Sequence, residues 1–357
     1  MIVKKIKEII KNENYQAIFL AGHENEAVLK NIRYVSGFTG TSGYVFIGAD
    51  FGYFISDFRY RDQAKNQVTD LDFIEIDTTI FDVINDLIKK HNVKLTAFDK
   101  KLFYSEYEKF DEELDSELVP LDNIIEKLRI SKNENEIKLL QEACNITDRA
   151  FSHILDFIKP GMTEKQVERE LKDYMLNEGA DGAWDSFIVA SGPRGAMPHG
   201  IASDKVIETG ELVTLDIGCV YKGYTSDMTR TIAVGEVSDK LKEIYEVVKT
   251  AQQKGLDAAK AGITGKELDA VCRDYISSKG YKEQFKHGTG HGIGLDVHEA
   301  PYVSVRNENP LEEGACVSIE PGIYITGLGG VRIEDDIILT RNGCIVLNNS
   351  PKDLIKI

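Results

Sequence analysis

The chain has 357 residues, room for about two domains with buried cores. At 42% hydrophobic and 29% charged residues, it has the composition of an ordinary globular protein. A formal net charge of −16 argues against a phosphate backbone or an anionic membrane surface as the main partner, and no run approaches the roughly 18 consecutive apolar residues of a membrane-spanning helix.

The opening segment, MIVKKIKEIIKNEN, lacks the continuous apolar stretch and small-residue cleavage site of a secretory signal. Its apolar residues Ile2, Val3, Ile6, Ile9 and Ile10 fall at helical spacing, so it is expected to be the first amphipathic helix of the fold. Short apolar runs between turn residues predict strands over residues 17–21, 43–48, 52–56 and 95–98, with a helix over 81–90. Such alternation indicates an α/β layer domain over residues 1–128. The glycines of GFTGTSG (Gly37, Gly40, Gly43) fit neither nucleotide-binding signature, and a turn entering a strand accounts for them.

From Asn135 the pattern becomes a long helix with a stripe at Ile137, Leu140, Cys144, Thr147, Phe151, Ile154 and Ile158. The second domain is accordingly taken as 129–357. Within it, residues 159–179 and 260–280 repeat at a constant offset of 101, with seven identities. Thr163 with Gln166, and Thr264 with Glu267, have the spacing of a capping box, and Gly179 and Gly280 fall where a left-handed residue ends a helix. The five cysteines, Cys144, Cys219, Cys272, Cys316 and Cys344, are scattered, which points to reduced core residues in a cytoplasmic protein.

Four acids lie in β-patterned segments of this second part: Asp216 in ELVTLDIGCVY, Asp227 in GYTSDMTRTIAV, Glu320 in CVSIEPGIYI and Glu334 in GGVRIEDDIIL. Apolar flanks pull each towards a core, where clustered carboxylates stay ionised only beside cations, and two divalent metals would supply that charge. The spans 216–227 and 320–334 each suit a strand–turn–strand unit, so each half of the repeat would bring one hairpin with two acids. Strand alternation puts Arg332, Glu334 and Asp336 on one face and Val331, Ile333 and Asp335 on the other, while Cys219 falls on the core side opposite Asp216. Three of the seven histidines, His287, His291 and His298, share the glycine-rich HGTGHGIGLDVHE, and His199 lies in the loop-like SGPRGAMPHG. One imidazole with four carboxylates is a hard set that suits Mn²⁺ or Co²⁺ and accommodates Zn²⁺ or Fe²⁺.

The ordered motifs DIG, SDMTRT, HGTGHGIGLDVHE, EPGIY and GGVRIEDD resemble the metallopeptidases of pita-bread fold, in the branch of the Xaa-Pro aminopeptidases and Xaa-Pro dipeptidases (prolidases). The resemblance spans the chain. It implies an α/β creatinase/prolidase-type N-terminal domain, then an α+β pita-bread catalytic domain with an internal pseudo-two-fold repeat. It implies two metal ions held by Asp216, Asp227, His291, Glu320 and Glu334, with Asp227 and Glu334 bridging. His199, His287 and His298 correspond to substrate-side histidines, and Arg332 to the arginine beside the last ligand. Members of the branch are usually dimers or tetramers. The implied substrate is a proline-containing peptide, with no nucleic acid or membrane partner.

The Xaa-Pro bond has a tertiary amide without N–H, so a proton must reach the prolyl nitrogen before it leaves. Glu320 is placed to take a proton from the attacking water and, with His199, to deliver it; His298 would assist the oxyanion. The HGTGHGIG variant inclines the reading towards the aminopeptidase, with the dipeptidase as the alternative. A metal-free creatinase-like enzyme would lack several of these ligands, a methionine aminopeptidase would lack the first domain, and a non-catalytic relative would show degraded ligands.

Overall fold

The computed structural model describes residues 2–357. The chain forms two compact units, which part between Arg129 and Ile130.

The first unit runs α1 (Ile2–Ile10), β1 (Ala17–His23), α2 (Glu26–Ser36), β2 (Ser42–Gly48), β3 (Gly52–Ser56), α3 (Arg61–Gln67), β4 (Asp72–Glu75), α4 (Ile80–His91), β5 (Leu95–Phe98), α5 (Tyr104–Glu113), β6 (Glu117–Pro120) and α6 (Ile124–Ile130). Its sheet has the order β4-β3-β2-β1-β5-β6. An antiparallel meander of β1, β2 and β3 is flanked by parallel edge strands. Alternation along the central strands decides which layer each side chain joins. Ile18, Leu20, Val45, Ile47 and Phe54 pack with α1 and α2, through Ile6, Val28 and Ile32. Phe19, Phe46, Tyr53 and Ile55 pack with α4 and α5, through Ile84, Leu87 and Phe110. The GFTGTSG segment is the turn it was expected to be. Gly37 (φ +80°) closes α2, and a side chain at Gly43 would collide with the Phe54 ring 2.7 Å away.

The second unit opens with α7 (Glu134–Phe157), capped by a box of Asn133 and Glu136. Leu140, Cys144, Thr147, Phe151 and Ile154 of the expected stripe are buried, but Ile137 is only half-buried. Glu136 turns inward instead, and accepts a hydrogen bond from Tyr224 Oη (3.0 Å). The first half continues with α8 (Glu164–Asn177), β7 (Gly182–Ala183), β8 (Ile188–Ser191), β9 (Glu211–Ile217), β10 (Cys219–Tyr221), β11 (Tyr224–Thr225) and β12 (Met228–Val234). The second half comprises α9 (Asp239–Ala258), α10 (Gly265–Ser278), β13 (Gly290–Gly292), β14 (Glu299–Val303), β15 (Cys316–Ile319), β16 (Gly322–Ile325), β17 (Gly329–Arg332), β18 (Asp335–Thr340) and β19 (Gly343–Val346).

The repeat is structural. Both α8 and α10 have 14 residues, both start in a Thr capping box, and both are followed by a left-handed glycine, Gly179 (φ +98°) and Gly280 (φ +88°). Each half then supplies one long antiparallel hairpin, β9 with β12 and β15 with β18. A smaller hairpin sits inside each connection, β10–β11 in one and β16–β17 in the other. The two long hairpins meet where Glu334 N donates to Thr229 O (3.1 Å). All five cysteines are free, and Cys219 lies in the core packed under α7. Among the described residues no helix is long and apolar enough to cross a membrane.

Candidate metal centre

Asp216, Asp227, His291, Glu320 and Glu334 all line one cavity of about 450 Å³, together with His199, His287, His298 and Arg332. Backbone order delivers each of them. Asp216 sits near the end of β9 and opposite Thr229 of β12. Asp227 immediately precedes β12, and its N–H is held by Asp336 Oδ2 (2.8 Å). Glu320 follows β15 and donates its N–H to Thr289 O (2.8 Å). Glu334 lies between β17 and β18, at the seam of the two hairpins. His291 is the centre of β13, between glycines that cannot be replaced: a Cβ at Gly290 would lie 1.9 Å from Ser318 O, and one at Gly292 2.3 Å from Ala300 O.

Asp227, His291 and Glu334 offer ligand atoms that all lie within 4.8 Å of one another. His291 Nδ1 faces Gly292 O (3.2 Å), which leaves Nε2 towards Glu320 Oε1 (3.3 Å) and Asp227 Oδ2 (3.6 Å). Asp216 and Glu320 stand beside the site's cationic side chains, Asp216 Oδ2 accepting from Arg332 Nη2 at 2.5 Å. Burial, then the charges of Glu334 and Asp216, push the Asp227 carboxyl well up; burial, then Glu320 and Asp216, do the same to Glu334. Burial also raises Glu320, but the hydrogen bond and charge of His291 outweigh it and bring that carboxyl down to about 2.

Divalent metal ions fit this donor set. Asp216 Oδ1, Asp227 Oδ1 and Glu334 Oε1 are buried acceptors without a hydrogen-bond partner among the described residues. Leaving carboxylate oxygens so buried is costly unless a cation meets them. Carboxylates of Asp227 and Glu334 converging with the His291 imidazole, and Asp216 in the same cavity, form a hard N/O site.

Side chains that sequence patterning did not single out hold these groups in place. Thr229 Oγ1 accepts from Arg332 Nε (3.0 Å) and donates to Glu334 Oε2 (2.6 Å). Tyr324 joins Arg332 to His287: Arg332 Nη1 donates to Tyr324 Oη (2.7 Å), which lies 3.0 Å from His287 Nε2, while His287 Nδ1 faces Gly288 O (2.8 Å). In the neutral ring, Nδ1 donates to that carbonyl and Nε2 accepts from the tyrosine. Burial lowers the His287 pKa, which agrees with that tautomer, and pushes Tyr324 up to about 12. His298 lies against His291, ring centroids 4.0 Å apart, and burial followed by the His291 charge lowers its pKa. Thr229 stands two residues past Asp227 in the SDMTRT motif, which placed it near the site but did not reveal its partners. Tyr324 ends the EPGIY motif, but nothing there pointed to Arg332 or His287 as its partners.

A buried cluster of acids and one imidazole, built where two repeated hairpins meet, defines a metal-dependent hydrolase. Residues 138–341 match Metallopeptidase family M24, and residues 2–131 match the Creatinase/Prolidase N-terminal domain. The chain belongs to metallopeptidase family M24, with the α/β N-terminal domain and pita-bread catalytic domain that its motifs implied. It is similar to the uncharacterized peptidase YqhT of Bacillus subtilis, at 50% identity over 91% of this chain and 93% of that one. The solved Xaa-Pro dipeptidase from Bacillus anthracis is 47% identical, with a TM-score of 0.96 over 100% of this chain and 99% of that one. The X-Pro aminopeptidase from Thermotoga maritima is 38% identical, with a TM-score of 0.92 over 99% of this chain and 100% of that one.

Proposed function

We propose that this chain is an Xaa-Pro dipeptidase that hydrolyses the bond between a first residue and a C-terminal proline. The observation that carries a hydrolytic metal site is the set of unpartnered buried carboxylate oxygens facing His291 in a single cavity. The dipeptide preference is supported by the similarity to the Bacillus anthracis dipeptidase, which exceeds that to the Thermotoga aminopeptidase in identity and in superposition. The aminopeptidase reading drawn from HGTGHGIG therefore becomes the alternative.

Asp216, Asp227, His291, Glu320 and Glu334 would hold two divalent ions, most simply Mn²⁺. When bound, such ions polarise a carbonyl and lower the pKa of an attacking water towards neutrality. Glu320, at the cavity wall, takes the proton of that water and returns it to the prolyl nitrogen, which cannot depart as an anion. His298 donates to the oxygen of the scissile carbonyl as negative charge develops there. His199 lies on the side of the leaving proline. The Arg332–Tyr324–His287 chain orients the substrate, its positive charge attracting the C-terminal carboxylate. The acids opposite attract the free α-amino group. The protein would act in the cytoplasm as a homodimer or larger homo-oligomer, which light scattering at the assay concentration checks.

The deciding experiment uses protein stripped of metal and then given Mn²⁺, with an Xaa-Pro dipeptide in one tube and an Xaa-Pro-Yaa tripeptide in the other. Cleavage of the dipeptide alone, abolished by a chelator, is the expected result. Equal or faster cleavage of the tripeptide would replace this reading by the aminopeptidase. Inactivity on both, with two metals bound per chain, would sink the proline specificity.

A further inference from the structure

His199 enters the cavity from the loop over residues 192–202, and among the described residues its imidazole has no hydrogen-bond partner. Where that ring stands is therefore decided by the loop backbone. The base of the loop is tied by the backbone hydrogen bond from Ala202 N to Phe187 O (3.1 Å) and by one buried carboxylate, that of Glu164, the first residue of α8, which is 0% exposed. Glu164 Oε1 accepts from Ser191 N (2.8 Å) and Ser191 Oγ (2.8 Å), at the incoming end of the loop. Oε2 accepts from Ser203 N (3.0 Å) and Ser203 Oγ (2.7 Å), at the outgoing end. Oε2 also takes Arg194 Nη1 from inside the loop, and Arg194 Nη2 donates to Ile201 O (2.8 Å).

Helix capping does not explain this burial. Thr163 and Gln166 already form the box that starts α8. At the position related by the repeat, α10 begins with Gly265, where a Cβ would lie 2.3 Å from Tyr302 O. The acid thus belongs to the first half only, the half whose loop carries His199. Sinking a carboxylate to zero exposure is sustained by its five donors, and all five come from the loop or its two ends. The far side of the loop is seated on the cavity wall: a Cβ at Gly330 would lie 2.1 Å from Gly195 O, and Pro198 O accepts from Arg332 Nη1 (3.3 Å).

We propose that Glu164 is a positioning residue for the peptidase reaction, closing the 192–202 loop so that His199 is held against the substrate. The inference rests on the reading given under Proposed function. Its test is a double-mutant cycle on the Mn²⁺-loaded enzyme, with an Xaa-Pro dipeptide as substrate and a calorimetric Mn²⁺ titration alongside. Glu164→Gln keeps the shape but turns one acceptor into a donor facing donors. It should lower kcat/KM by roughly 10–100-fold, the cost of a small misplacement, and leave the Mn²⁺ titration unchanged. In a His199→Ala background the same change should cost less than about twofold, because the two residues act as one unit. An equal loss in both backgrounds, or no loss in the parent enzyme, overturns the clamp and leaves the site reading intact. A silent His199→Ala removes the role of His199, and with it both the inference and that part of the site reading. Ser203→Ala, which deletes one donor and keeps the carboxylate, runs the same cycle if Glu164→Gln does not fold.

Discussion

Glu334 and Asp335 are neighbours in sequence, both buried, and opposite in character. Asp335 faces away from the cavity and is saturated: Arg230 Nη2 (2.6 Å), Lys352 Nζ (2.7 Å) and Gln252 Nε2 (2.8 Å) all donate to it. Glu334 faces Asp227 and Asp216, and has one oxygen without a partner. Burial raises the Asp335 pKa, but the charges of Arg230 and Lys352 carry it below its ordinary value; Glu334 is pushed well above. A carboxylate neutralised by the protein's own cations serves the fold. One left for an outside cation marks the site.

The contrast can be broken from either side. The largest effect is expected at the site: Asp227→Ala should lower kcat/KM by more than about a hundredfold and abolish binding of one Mn²⁺ in a titration, exceeding the penalty usual for groups behind the ligands. On the other face, Arg230→Met takes one of two cations from Asp335 and the side-chain donors from the carbonyls of Glu334 and Ser350, and should destabilise the fold by about 3–5 kcal/mol in denaturant melts. Loss of activity without loss of stability there would erase the distinction. Thr229→Val removes the hydroxyl that links Arg332 to Glu334 and should weaken Mn²⁺ binding by roughly 10–100-fold, at little cost to the melting temperature. A weakening below about twofold would make Thr229 a packing residue.

The smallest effect is a slope with pH. Asp227 and Glu334 have raised pKa values, so metal-free native protein binds more protons than the unfolded chain. Their contribution to stability is present below about pH 4 and is lost as pH rises through their folded pKa values. Asp335 acts in the other sense: its stabilisation is present above the unfolded pKa and is lost as pH falls through the folded one. Melting temperatures of metal-free protein should therefore fall as pH rises above the ordinary carboxylate range, and the fall should shrink in Glu334→Gln. Saturating Mn²⁺ should flatten it by keeping the carboxylates ionised. An identical slope with and without metal would show that these acids do not meet the ions.

The sequence by itself determined what repeats locally. Alternation placed β1, β2, β3 and β5 within two residues of their observed ends and separated Glu334 from Asp335. Capping boxes and left-handed glycines exposed the repeat of α8 and α10, and the acids in two similar spans marked the hairpins. These signals survive in one dimension because periods of two and 3.6 residues are set by neighbours along the chain. The short edge strands β4 and β6 gave too few alternating residues to stand out. Only the tertiary structure decided that Tyr324 would link Arg332 to His287, that Thr229 would tie Arg332 to Glu334, and that Glu164 would close the loop of His199. The Thr229 contacts bridge chain separations of more than 100 residues, and the contacts that close the His199 loop bridge 27 and 39. No periodicity encodes such separations; they become contacts once the two halves pack and every buried polar atom must find a partner.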